Sequence, residues 1–299
     1  MTKKTRNWLL AIGILAFPFV LFLGCLVFMA EEPLPPLAPL PNPNGYEDLV
    51  KAAKMIKGET WAYFDNAGLD KLRGIVSTNA ATLVLARIAF TKQCGVPPQF
   101  TKVSQTNRVE AFEAFKDLAQ ALVCEGKVAE KENRFGDAAK SYLDAVRLGS
   151  QITHGGIVID ELVGISAAWY GETQLQGIST NLDASSSRRA AATLETLAGE
   201  RQSLAAALQQ EEAWYRRALG WRSEWFKLIY FSARQHRFKN AKEKLDQFQQ
   251  EESRLLVELA ARAYQLDKGK PPASVAYLVP DYLKTVPQDP VTGTNIILP

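Results

Sequence analysis

The sequence predicts an all-α protein, and three observations predict it. Apolar residues recur at helical spacing, as in Phe112, Phe115, Leu118, Leu122 and Val123. Strand-like alternation is absent. The periodic runs stop at helix breakers, first at Gly95-Val96-Pro97-Pro98 and finally at Gly269 with Pro271-Pro272. The expected order is a cytoplasmic stub (1–7), a transmembrane helix (8–30), a proline-rich stalk (31–44), a helical domain (45–268) and a docked, irregular, proline-rich C-terminal tail (269–299).

The anchor rests on length and charge. Residues 8–29 form 22 consecutive positions without a charge, enough at about 1.5 Å per residue to cross a hydrocarbon core of roughly 30 Å. Lys3, Lys4 and Arg6 precede this run and Glu31-Glu32 follow it. That bias puts the N-terminus in the cytoplasm and the body in the periplasm or its equivalent. A cleaved signal peptide and lipidation at Cys25, in "FLGC", are the two alternatives to a retained anchor. The three basic residues account for the whole formal charge of +3, leaving 32 cationic and 32 acidic residues in the rest. So balanced a body has no basic surface for nucleic acid.

Six prolines between Pro33 and Pro43 make the next segment a stiff, extended spacer. The body opens with an amphipathic helix over 46–57 and a second over 68–90. A third follows over 107–132, and a short turn at Asn133-Arg134 makes it one arm of an antiparallel hairpin with 135–152. Residues 155–178 are apolar on nearly every side yet carry Asp160, Glu161 and Glu172, too polar for a span, which marks them as the central core helix. Asp183 or Ser185 caps the next helix, which runs to about residue 200. A long helix is expected over 203–232, with Trp214, Trp221 and Trp225 on a core stripe, and a last one over 238–267.

In the hairpin, Gly126, Phe135, Ala138, Tyr142 and Ala145 resemble signature positions of a tetratricopeptide repeat, where small residues admit an aromatic between two helices. One period of 34 residues further on, Asp160, Trp169, Glu172, Gln176 and Ser179 do not repeat the pattern. The resemblance therefore implies a single hairpin and not an array with its peptide groove.

Reactive constellations are sparse. His154 lies in "ITHGG", but the HGG loop of esterases needs a nucleophile elbow, and "GISAA" lacks its last glycine. Gly155-Gly156 make His154 a turn residue. His236, in "SARQHRFKN", belongs to a basic turn between helices without metal-ligand spacing. Asp160 and Glu161 would gain catalytic pKa values if buried, but neighbours on a helix point about 100° apart, so one or both should reach solvent or an arginine. Cys94 and Cys124 are either a disulfide or two buried thiols. The sequence predicts no catalytic, cofactor-binding or metal-binding residue and no cofactor.

The tail carries a second resemblance. Tyr264, Asp267, Gly269, Pro272, Leu278, Val279, Pro280, Tyr282-Leu283, Pro287, Asp289-Pro290 and Gly293 are similar in order to the helix-to-tail segment of type II secretion major pseudopilins. They resemble more closely the ending of uncharacterised single-pass helical proteins of planctomycete bacteria, which share the basic stub, anchor and proline-rich "PPLAPLPNPNGYEDLVKA". Pseudopilins place a cleavage glycine and a glutamate at the head of their apolar helix, which "KKTRNWLL" does not offer. The resemblance implies kinship and no activity. Leu278 and Tyr282 are the expected anchors of a tail folded back on the helices. The expected role is a non-enzymatic, membrane-anchored helical interaction or scaffold protein with a protein partner. An envelope enzyme and a secretion or assembly component are the alternatives.

Overall fold

The computed structural model describes residues 16–24, 39–58, 60, 67–98, 102–220 and 231–298, with the backbone alone for 102–107 and 231–237. Its helices confirm the all-α class: no strand occurs among the described residues, and the one isolated β-bridge joins Gln288 to Asn295 in the tail. Of the expected anchor, 16–24 is described and helical. No helix among the described residues is long and apolar enough to cross a membrane. Cys25, most of the stalk, and Trp221 and Trp225 lie outside the described residues.

Eight α-helices follow among the described residues. Helix α1 (Gly45–Lys54) is capped by Asn44, whose side chain accepts from the Tyr46 amide, and α2 (Leu69–Ala89) ends in a turn over residues 90–92. Helices α3 (Lys102–Lys131) and α4 (Phe135–Gln151) form the expected hairpin, turned by Asn133 in the left-handed region at φ 59°. Gly126 makes the hairpin close: a Cβ there would stand 2.2 Å from the Tyr142 ring, which fills the space and donates from its hydroxyl to Glu130 at 2.6 Å.

Helix α5 (Val158–Ile178) is the central element, touching α3, α4, α7 and α8. It approaches α4 almost backbone to backbone, because a Cβ on Gly149 would meet the Gly164 carbonyl at 2.3 Å. Helix α6 (Ala184–Glu200) is capped by Asp183, which accepts from the Ser186 amide at 2.6 Å. Helix α7 (Leu204–Leu219) is capped by Ser203. Helix α8 (Phe231–Lys268) runs 38 residues and buries Ala241, Leu245, Phe248, Leu255, Leu259 and Ala263 at spacings of three, four and seven.

Two expectations are corrected. The helix expected over 203–232 stops at Leu219, because Gly220 takes φ 53° and its amide bonds back to the Arg216 carbonyl. His236 lies inside α8 and not in a turn: "SARQHRFKN" has no glycine or proline and is rich in good helix formers.

The tail lies on α8 and α6. Leu278 and Leu283 are fully buried, Val275 and Tyr282 nearly so, and a 3₁₀ turn (Val275–Leu278) presents the first of them. Tyr282 donates to Asp267 at 3.0 Å and packs against the Tyr264 ring, 5.5 Å between centroids. The Lys284 amide donates to Glu195 of α6, and Gln250 of α8 donates to Asp289.

Candidate functional site

Two polar regions of the body stand out, one open and one closed. The open region is a cleft of about 750 Å³ where the C-terminal ends of α2, α4 and α6 converge. Such ends expose carbonyls and carry partial negative charge, so donors and cations are expected there. His154 Nε2 meets the Glu200 carbonyl at 3.1 Å, and Gln151 Nε2 donates to the Phe90 carbonyl at 3.1 Å. Lys92 pairs with Asp48. Arg147, half-buried on the cleft wall, makes no hydrogen bond among the described residues.

Pro41 forms part of the same wall. A Cβ on Gly95 would stand 2.8 Å from Pro41 and 3.2 Å from Leu40, and Asn44 both donates to the Gly95 carbonyl (2.8 Å) and accepts from its amide (3.0 Å). The chain therefore enters the body along one edge of the cleft, in a fixed direction. His154 sits in the turn after α4, with Gly155 at φ 72°, and its contact on the cleft wall is the Glu200 carbonyl.

Cys94 lines the cleft and Cys124 lies in a separate small cluster with Ala67, Leu72 and Val128. Both are free thiols. Burial, and for Cys94 the nearby Asp48 carboxylate, pushes each up to about 12, so neither is a ready nucleophile.

The closed region surrounds α5. Asp160 is fully buried and receives Arg108 in a bidentate pair, Nε to Oδ1 at 3.0 Å and Nη2 to Oδ2. It also accepts from the Ile157 amide at 2.6 Å, which secures the start of α5. The Arg108 guanidinium stacks against Trp214 (5.0 Å) and Phe112 (5.7 Å). This is the arginine partner expected of the pair 160–161, and Trp214 is a core residue as its spacing predicts.

Glu161 meets a different fate. It is 2% exposed, and neither carboxyl oxygen has a hydrogen-bond partner among the described residues. Burial pushes its carboxyl up to about 8 and the Arg201 charge opposes that only in part. Eleven residues on, Glu172 lies on the same side of α5, also buried, with Oε1 unpartnered. Burial first, and then the negative charge of Glu252, hold it well above the usual carboxylate range. Arg201, just past α6, is paired in two bonds of 2.7 and 2.8 Å to Glu252 of α8 and lies 4.6 Å from the Phe248 ring centre.

Sequence reasoning singles out neither Arg201 nor Glu252 and uses Glu172 only to argue against a span. A signal exists for Glu252, which occupies a slot in the α8 stripe where the other members are apolar. No group of three or more metal-ligating side chains occurs among the described residues. No family model, curated protein or solved structure matches the chain.

Proposed function

We propose that the chain is a single-pass envelope protein that holds an all-helical interaction module outside the cytoplasmic membrane, on a proline-rich stalk, for a protein partner. The observation that carries this reading is how the tether joins the body: Leu40 and Pro41 pack on Gly95, and Asn44 clamps Gly95 in both directions. A stiff spacer ending in a rigid joint presents the adjoining cleft in a fixed orientation, which suits a scaffold more than a freely swinging domain. The charge-free run 8–29, with cations before it and acids after it, supports the topology. Kinship with the planctomycete single-pass proteins and the tetratricopeptide-like character of the Gly126–Tyr142 hairpin belong to the same proposal.

The test has two parts. Reporter fusions after Met29 and at the C-terminus should be active only outside the cytoplasm; a cytoplasmically active body overturns the topology. A photo-crosslinking residue at Thr193, on the cleft wall, should capture one protein in intact envelopes, and a control residue at Lys239 should not. Equal labelling from both positions overturns the cleft as the partner site. A second reading, an envelope enzyme acting through Glu161, is favoured only by that carboxyl's elevated pKa; Glu161 is closed off and does not line the cleft.

A further inference from the structure

Four ionisable groups from three places in the chain share one closed region: Glu161 and Glu172 of α5, Arg201 at the corner between α6 and α7, and Glu252 of α8. Fully ionised, three carboxylates would share one guanidinium, and both hydrogen bonds that this guanidinium makes among the described residues go to Glu252. The charge surplus has little access to bulk water, since the three carboxyl residues are buried and the Arg201 side chain is 6% exposed. The other groups around α5 do not relieve it. On α3, Arg108 is committed to Asp160. On α7, Glu211 accepts from the Val158 amide at 3.3 Å. On α8, Glu251 adds further negative charge near Glu172. The residues of α4 and its following turn closest to the α5 glycines, Tyr142, Ala145, Val146, Gly149 and Thr153, carry no charge at neutral pH. Two protons must therefore accompany the closed arrangement.

The corner that carries Arg201 is also a wall of the cleft. Gln202 beside it is tied to the α4–α5 turn, accepting from the Gly155 amide at 2.7 Å and donating to the Gly156 carbonyl at 3.1 Å. Glu200 on its other side accepts from His154. The buried cluster thus sits behind the same corner whose outer side is held by neutral hydrogen bonds that are exposed or part-buried.

We propose that Glu161 and Glu172, packed around the Arg201–Glu252 pair, form a proton-dependent latch that closes the α6–α7 corner onto α5 and α8, and that losing these protons frees the corner. Alkaline conditions then loosen the segment from Leu197 to Ala207, and acid to neutral conditions close it. The consequence for the cleft, a wider mouth in the open state, rests on the reading of the cleft as a partner site; the latch itself does not.

The test uses the full chain in detergent. Hydrogen exchange of backbone amides, corrected for the intrinsic pH dependence of exchange, should show the corner and the first half of α5 exchanging at least tenfold faster at pH 9 than at pH 6.5. The Glu161→Gln/Glu172→Gln double variant, which mimics the protonated pair, should lose that difference. Unchanged protection in the native chain, or a difference that persists in the double variant, overturns the latch. Should the double variant fail to fold, infrared difference spectra of the native chain decide: a protonated-carboxyl stretch that disappears between pH 6.5 and 9 supports the proposal, and its absence overturns it. A native latch with no pH effect on Thr193 crosslinking would sink the cleft reading alone.

Discussion

Asp160 and Glu161 are neighbours in the chain, on one helix, equally buried, and differ by one methylene, yet one is an ionised partner and the other an unpaired acid. Asp160 turns towards α3, where a guanidinium already sits between two aromatic rings, and it collects three hydrogen bonds. Glu161 lies near Arg201, at the corner past α6, and that guanidinium is already paired with Glu252 of α8. A helix spaces adjacent side chains about 100° apart, so the two sample different neighbours, and the neighbours set the charge state. Burial alone decides nothing about a carboxyl; burial with a vacant or an occupied arginine does.

The largest expected effect comes from breaking the paired side. Asp160→Ala leaves Arg108 charged and buried without a carboxylate and removes the bond to the Ile157 amide, and should cost about 3–5 kcal/mol in urea denaturation. A loss under about 1 kcal/mol would mean that water reaches Arg108 and the contrast with Glu161 is false. Glu252→Gln tests the crowded side in the same way. It strands Arg201, but Glu161 and Glu172 stand close enough to ionise in its place, so the cost should be smaller, about 1–3 kcal/mol. A cost equal to that of Asp160→Ala would show that the two spare carboxyls cannot substitute.

The next effect is read as a slope. Glu161 has an ordinary carboxyl value of 4.5 when unfolded and about 8 when folded. Between those values the folded chain holds a proton that the unfolded chain has lost, so the contribution of Glu161 to stability is fully present at and below pH 4.5 and is lost as pH rises towards 8. One such group contributes a slope of at most about 1.4 kcal/mol per pH unit. Glu161→Gln should be close to neutral near pH 5 and should flatten the decline seen in the native chain between pH 5 and 8. Parallel curves for the two chains would place the titrating group elsewhere.

The helices of the body were legible because their cause is local: periodic apolar residues, a cap at Asp183 or Ser185, the short turn at Asn133-Arg134. The long-helix boundaries were not, because Gly220 looks tolerable inside a periodic pattern until its backbone turns to φ 53°, while a basic, polar stretch such as 232–240 reads as a turn despite being built of helix formers. The closed site was half legible. Helix geometry sends one or both of residues 160 and 161 to solvent or to an arginine, but which fate each meets depends on α3, α8 and the Arg201 corner packing around α5, at positions up to 91 residues away in the chain. Cys94 and Cys124 likewise needed the packing: their spacing is compatible with a bond, and they belong to different clusters.

The smallest effect sharpens the comparison by repeating its chemistry in water. On the tail, Arg188 of α6 pairs with Asp267 of α8 and lies over the Tyr282 ring at 4.7 Å, the same carboxylate and aromatic company that Arg108 keeps. Its side chain, however, is 50% exposed. Water screens both partners, and long side chains lose entropy to hold the geometry, so Arg188→Ala should cost only about 0.5–1 kcal/mol. Part of that small loss should vanish at 1 M salt, where the Debye length shrinks to about 3 Å, whereas the cost of Asp160→Ala should hardly change. If Arg188→Ala were as damaging as Asp160→Ala, the identity of the contacts and not their burial would set the size of both effects. Tail docking would then rest on Arg188 and not on the buried Leu278 and Leu283, which Leu278→Ala would show by costing less than the 2–5 kcal/mol usual for a filled core site.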